Sequence, residues 1–153
     1  MDQGFIVSNG IAFSPDDRTM YFADSRGETV FAYDFDIDSG AISNRRVFFS
    51  TRDIEGRCDG ATVDAEGFYW CALVHGGKIA RVDPKGRFDR LIDMPVKHPT
   101  MCTFGGDKLD VLYVTSAASM LSEEERARMP QAGNLFAIRG LGVKGLPEPM
   151  FAG

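Results

Sequence analysis

Two side chains in this sequence put hard oxygen atoms within reach of chemistry. They are Asn9, in Ser8-Asn9-Gly10, and Asp59, in Cys58-Asp59-Gly60. An amide oxygen and a carboxylate are donors that suit Ca²⁺, Mg²⁺ or Mn²⁺ better than metals of softer sites. Thr100 holds the matching place in a third segment, Pro99-Thr100-Met101. Asn and Asp also have a plainer use, capping the start of a strand by accepting turn N–H groups. Residue type and spacing leave both uses open.

The elements that position these residues repeat. Asn9-Gly10 opens an alternating apolar strand, Ser14-Pro15-Asp16-Asp17 breaks it, and Thr19–Asp24 runs back. Asp59-Gly60 opens the second copy, with Ala65-Glu66-Gly67 as the turn and Phe68–Leu73 as the return. The third begins at Pro99 and returns through Leu112–Thr115. The spacings are 50 and 41 residues, and short alternating strands with glycine-rich turns at that period mark β-propeller blades. The fold class expected is therefore all-β, a partial propeller of three four-stranded blades at about residues 9–56, 57–97 and 98–153, forming one domain.

Within blade one the strands are expected at Gly10–Ser14, Thr19–Asp24, Thr29–Asp34 and Arg46–Ser50. Asp36-Ile37-Asp38-Ser39-Gly40 carries acids at alternate positions, like part of a calcium loop. It lacks the length and flanking helices of an EF-hand and reads as a hairpin turn. Blade two offers Gly60–Asp64, Phe68–Val74, Lys78–Val82 and Phe88–Met94. Blade three offers Met101–Gly105, Val111–Thr115 and Asn134–Ile138, with a last strand at Met150–Ala152. Ser122-Glu123-Glu124-Glu125 reads as a capping box that opens a short helix to Met129.

Antiparallel order fixes what shares a face. The chain changes end at every strand, so Asn9, Asp59 and Thr100 converge near one axis, at one mouth. Ser25-Arg26-Gly27, His75-Gly76-Gly77 and the Ala117–Ala132 connection lie further out on the same face.

Bulk properties narrow the partners. The 153 residues carry a net charge of −5, which argues against a nucleic-acid partner. No apolar run approaches the roughly 20 residues of a membrane span. Met1-Asp2-Gln3-Gly4 lacks the basic and apolar regions of a signal peptide. Three cysteines, Cys58, Cys71 and Cys102, form no pairing pattern and read as reduced thiols in the cytoplasm.

Ser8-Asn9-Gly10 with Phe13-Ser14-Pro15-Asp16 resembles the senescence-marker-protein/gluconolactonase/regucalcin family. So do Ser43-Asn44-Arg45-Arg46, Asp59-Gly60 with Val63–Gly67 and Trp70, Phe104-Gly105-Gly106 with Tyr113-Val114-Thr115, and Leu141–Leu146 through Phe151-Ala152-Gly153. The resemblance implies a six-bladed propeller with one divalent metal on its axis, most members being sugar lactonases. It implies that Asn9 and Asp59 are metal ligands and that Asp59 is also the general base. Only the C-terminal half of the family pattern is matched. A glutamate ligand, a substrate-gripping arginine and asparagine, and the N-terminal strand that closes the last blade have no counterpart. Cys58 stands where the family usually has proline.

A metal on a lactone carbonyl would polarise it and acidify a bound water, which Asp59 would orient or deprotonate. His75, beside two glycines at the mouth, and His98, just before Pro99, are candidates for substrate contact, as is Thr100 as a channel liner. Polar turn or packing roles serve each equally well. Cys58 shows no partner histidine that would make it a nucleophile. Trp70, Tyr69 and Phe68 read as core between blades.

The leading functional expectation is a metal-dependent sugar lactonase, with one Ca²⁺, Mg²⁺, Mn²⁺ or Zn²⁺ and a small-molecule lactone as substrate. The alternative is a non-catalytic, calcium-binding or assembling half-propeller. Three blades do not close a ring, so blade-one aromatics such as Phe13, Phe22 and Phe31 are expected on an open face, and a homodimer is expected to complete the propeller.

Overall fold

The computed structural model describes residues 2–148. The chain folds into three antiparallel sheets set side by side. The first holds β1 (Ser8–Phe13), β2 (Thr19–Asp24), β3 (Thr29–Asp36) and β4 (Ala41–Ser50), in that order. The second holds β5 (Arg57–Val63), β6 (Tyr69–Val74), β7 (Lys78–Val82) and β8 (Phe88–Asp93). The third holds β9 (Pro99–Gly105), β10 (Val111–Ser116) and β11 (Phe136–Ile138). None of the three sheets closes on itself, and β5 packs against both β1 and β9, so the three inner strands stand together.

Three strands, β1, β5 and β7, are turned back by similar devices. Asp64 Oδ1 accepts the N–H groups of Glu66 and Phe68, and Asp83 Oδ1 those of Lys85 and Arg87. In blade one, Ser14 and Asp16 share that work, with Asp16 accepting from Arg18 N–H. Gly67 and Gly86 close their turns at φ +85° and +80°, a conformation that costs glycine little. The Asp36 carboxylate accepts from Ser39 N–H and Oγ–H, so the segment with calcium-loop spacing is a self-satisfied hairpin turn.

Two apolar clusters hold the sheets together. Ala12, Tyr21, Val30 and Phe49 of the first sheet meet Ala61, Val63, Tyr69 and Leu73 of the second. Trp70 and Ile79 of the second meet Cys102, Phe104, Leu112 and Val114 of the third. The alternation of β6 sends successive side chains to opposite neighbours, as a period of two requires. Burial of these side chains is the main stabilising term.

Several bounds differ from the sequence expectation. β4 starts at Ala41, because Asn44 at φ +51° and an irregular β3–β4 register let a polar, exposed segment continue the ladder. The helix Glu123–Arg128 ends one residue early, with Met129 as its cap, and its capping box at Ser122 and Glu125 is present. β11 is shorter than expected, and the strand expected at Met150–Ala152 lies outside the described residues.

Blade one's open face also departs from expectation. Phe22 and Phe31 are half-buried. Phe5 sits with its ring centroid 4.7 Å from Phe22 and 5.8 Å from Phe31, and the Arg45 guanidinium lies 4.0 Å from the Phe31 ring centre. Asp24 anchors this lead-in by accepting the N–H groups of Ile6 and Val7. Asp2 accepts from Tyr33 and Arg45. Only Phe13 of the three aromatics is exposed.

Candidate metal centre

The three inner strands share a defect at their mouth ends. β1 carries one extra residue between Asn9 and Ala12, and β5 one between Cys58 and Ala61. β9 carries its extra residue between Pro99 and Met101, which is Thr100 itself. A bulge bends a strand and re-aims a side chain that would otherwise follow the pleat. All three residues picked out by type and spacing therefore stand on, or next to, a bulge.

The first two meet. Asn9 Nδ2 donates to Asp59 Oδ1 across the junction of blades one and two. Asn9 Oδ1 accepts the N–H of Gly10 at 3.1 Å, which leaves the amide nitrogen facing Asp59. Gly10 must be glycine, with φ at +54° and a Cβ there standing 2.9 Å from Ala23 Cβ and 3.0 Å from the Asp59 carbonyl oxygen. Gly60 is held as tightly on the other side, where a Cβ would lie 2.8 Å from the Thr100 carbonyl oxygen.

Beneath the pair, Tyr69 ties the two strands. Its hydroxyl donates to the Gly10 carbonyl at 2.7 Å and lies 3.4 Å from Cys58 Sγ. Ser25 adds a second tie, donating to the Cys58 carbonyl at 2.6 Å. Each residue beside a candidate ligand is thus fixed from blade to blade.

Asp59 is half-buried, and burial pushes its carboxyl above the ordinary carboxylate range. The Asn9 hydrogen bond and the nearby His75 pull it partly back. A carboxylate offers about four acceptor positions, so one bond to Asn9 leaves capacity for a cation. The donor set is hard oxygen, as a divalent ion of the Ca²⁺ or Mn²⁺ type requires. Among the described residues no group of three or more His, Cys, Asp or Glu side chains is placed to hold a metal. The residues present fit one corner of a metal site.

Among the described residues, the remaining candidates make no side-chain hydrogen bond to this pair. Thr100 Oγ1 shares a hydrogen bond with Thr115 Oγ1 at 2.8 Å, inside its own blade. His75, exposed at φ +69°, stands edge-on over His98 with ring centroids 4.7 Å apart. His98 is buried, with no hydrogen-bond partner for either ring nitrogen among the described residues. Burial first, then His75 and Lys97, lower its pKa and keep the ring neutral. A cavity of about 380 Å³ opens beside His75, lined also by Glu28, Ile54, Gly56 and Arg57. Cys58, Cys71 and Cys102 are free and buried, and burial holds the Cys71 and Cys102 thiols up.

Sequence reading missed the supports. Tyr69 reads in the sequence only as core between blades, and its hydroxyl carries the tie. A second buried centre, behind the mouth, also went unseen. Asp64, fully enclosed, accepts Trp70 Nε1–H at 2.8 Å and Arg81 Nε–H and Nη2–H at 2.9 and 2.7 Å. Arg81 also pairs with Glu66 and Asp89 and lies over the Phe68 ring. Its partners are spread from residue 64 to 89, at no spacing that a motif would display.

Comparison with known proteins bears on the family and the fold. Residues 1–118 match the family model described as SMP-30/Gluconolactonase/LRE-like region. Regucalcin of Gallus gallus is 41% identical over 148 residues, covering 96% of this chain and 50% of that protein. Regucalcin of Xenopus laevis is 40% identical with the same coverage. Among solved structures, a calcium-binding protein, regucalcin, from Agrobacterium tumefaciens superposes with a TM-score of 0.90 at 33% identity, covering 95% of this chain and 50% of that one. A gluconolactonase from Xanthomonas campestris superposes at 0.62 with 30% identity, covering 74% and 36%. The chain spans about half the length of the curated relatives it matches. Its three sheets are blades of a lactonase-type β-propeller, and the chain belongs to the SMP-30/gluconolactonase/LRE-like family.

Proposed function

We propose that this chain carries the metal-binding and general-base corner of a lactonase-type hydrolase. The observation that supports it is the contact of Asn9 with Asp59 from the bulged ends of two inner strands. Asn9 and Asp59 would hold a divalent ion, which when bound supplies Lewis-acid polarisation of a lactone carbonyl. Asp59 orients the attacking water and takes its proton, and its raised pKa brings it closer to neutrality as a base. A relative named gluconolactonase supports a sugar lactone as substrate, and the regucalcins support calcium as an ion.

His75 reaches the mouth from an exposed turn and is assigned to substrate hydroxyls, with His98 as the wall behind it. Thr100 lines the channel. The three blades act as one domain, in the cytoplasm, without nucleic acid or membrane. The alternative, a calcium-binding half-propeller without catalysis, is favoured by one observation: the described residues offer no three-carboxylate or histidine cluster. Hydrolysis of glucono-δ-lactone, followed by acid release with Mn²⁺ or Ca²⁺ present, separates the readings. Turnover that disappears in Asp59→Asn supports the hydrolase. Metal binding without turnover supports the alternative.

A further inference from the structure

We infer that an acid-sensitive clasp holds the loops around His98: a proton on its ring opens the joint between the β6–β7 turn, the linker of residues 94–98 and the connection leading to the helix Glu123–Arg128, while the three sheets stay folded. The inference does not depend on an ion at Asn9 and Asp59.

The first ground is the ring itself. His98 is 2% exposed, and among the described residues neither Nδ1 nor Nε2 has a hydrogen-bond partner. A neutral imidazole enclosed in this way is already costly. An imidazolium, with two N–H donors and no acceptor, is far more so. The charged and titratable groups that act on the ring are His75, Lys97 and Glu125. His75 stands edge-on from the β6–β7 turn, with ring centroids 4.7 Å apart, and Lys97 precedes the ring on the linker. Both oppose a positive charge there. Glu125 favours one, but its carboxylate is engaged by Lys97 Nζ at 2.8 Å and by Ser122 N–H at 3.0 Å. Burial is the largest effect and sets the His98 pKa below the ordinary histidine value.

The second ground is what keeps the ring in. The Lys97 carbonyl accepts Gly77 N–H at 3.1 Å, and the His98 carbonyl accepts Ala117 N–H at 2.9 Å. The Gly77 carbonyl accepts Met94 N–H at 2.8 Å, and Pro99, next in the chain, is fully buried. Behind the turn, a Cβ on Gly76 would stand 2.1 Å from the Glu55 carbonyl oxygen, so the turn is also pressed against the segment before β5. With its own carbonyl and both neighbours fixed, the ring reaches water when this backbone joint opens. The bonds of the joint tie loops together, and loops open at lower free energy than the sheet ladders behind them.

The third ground is linkage. A histidine whose folded pKa is lowered binds its proton more readily once exposed. The closed joint therefore has its full stability above the ordinary histidine pKa and loses it as pH falls from there toward the lowered value. His75 rides on the turn that opens, and it lines the cavity of about 380 Å³ with Gly56 and Arg57. Acid thus displaces one wall of that cavity.

An NMR titration of the 153-residue chain from about pH 7.5 to about pH 4.5, a window that brackets the ordinary histidine pKa, tests this. Carbon-bound imidazole protons report His75 and His98. Amide exchange, corrected for its intrinsic rate, reports Gly77, Met94 and Ala117 at the joint and Tyr21, Trp70 and Leu112 in the strands. The His98 ring is expected to titrate below the ordinary histidine range, and joint amides to lose at least about tenfold in protection over the same interval while strand amides keep theirs. His98→Gln, which takes no proton, is expected to abolish the response. A His98 ring that titrates with no loss of protection at the joint overturns the inference. So does a ring that takes no proton within the window, an acid response that survives in His98→Gln, or protection lost from joint and strands together. Should His98→Gln fail to fold, wild type alone decides, by whether protection falls over the interval in which the His98 ring titrates.

Discussion

Removing one oxygen atom from Tyr69 separates the support of the site from the site itself. Tyr69→Phe deletes the hydroxyl that donates to the Gly10 carbonyl at 2.7 Å and touches Cys58 Sγ. The ring stays, with its packing against Tyr21, Phe48 and Phe49. Tyr69 and Gly10 are both buried, so the carbonyl is left without its partner. An orphaned buried acceptor of this kind costs about 1–3 kcal/mol, with little loss of apolar contact to add. For a domain of this size each kcal/mol lowers Tm by about 2–4 °C, so a fall of roughly 2–12 °C is expected. Asn9 and Asp59 each neighbour an atom that the hydroxyl holds, so metal affinity should fall as well. Paired thermal melts and metal titrations of wild type and Tyr69→Phe read both effects. A variant with unchanged Tm and unchanged affinity refutes the view that Tyr69 holds the junction of blades one and two.

Other outcomes follow from the same structure. Asp59→Asn keeps the acceptor for Asn9 but removes a charge that burial disfavours. A carboxyl whose folded pKa is raised gives stability that is lost as pH rises through that pKa. Without metal, Asp59→Asn should therefore melt higher than wild type at pH 7, with the difference vanishing below the ordinary carboxylate range. Gly60→Ala should destabilise by about 1–3 kcal/mol in chemical denaturation, because its methyl has no room between Thr100 and Met101. Arg81→Ala should cost about 3–5 kcal/mol, since it strands the enclosed Asp64 carboxylate, while Arg87→Ala at the exposed turn costs under about 1 kcal/mol. Glu125, held down to about 2 chiefly by Lys97, should titrate there by NMR. Its contribution is present above the ordinary glutamate range and is lost as pH falls through about 2.

The inner and second strands were legible because each is an apolar alternation ended by an Asp or Ser turn. Ser14–Asp17 and Ala65–Gly67 read directly as turns, and both are turns. Asn9 and Asp59 were legible as a pair because their modules repeat. The bulges were not, since an extra residue leaves the polar and apolar types of a short strand unchanged. β4 was read too short because Ala41–Arg45 has no apolar face to show a period. Phe5 gave no sign of folding over Phe22, because a short lead-in carries no periodicity that points to its partner. The Asp64–Arg81 centre depends on three strands meeting, which no local pattern encodes.

We propose that Asn9 and Asp59 form a cation-binding corner at the junction of two blades. Calorimetric titration with Mn²⁺ and with Ca²⁺ tests it in wild type, Asp59→Asn and Asn9→Ala. Saturable binding is expected in wild type, none in Asp59→Asn, and affinity at least about tenfold weaker in Asn9→Ala, a loss of about 1.4 kcal/mol. Equal affinity in all three proteins would contradict it and place any bound ion elsewhere.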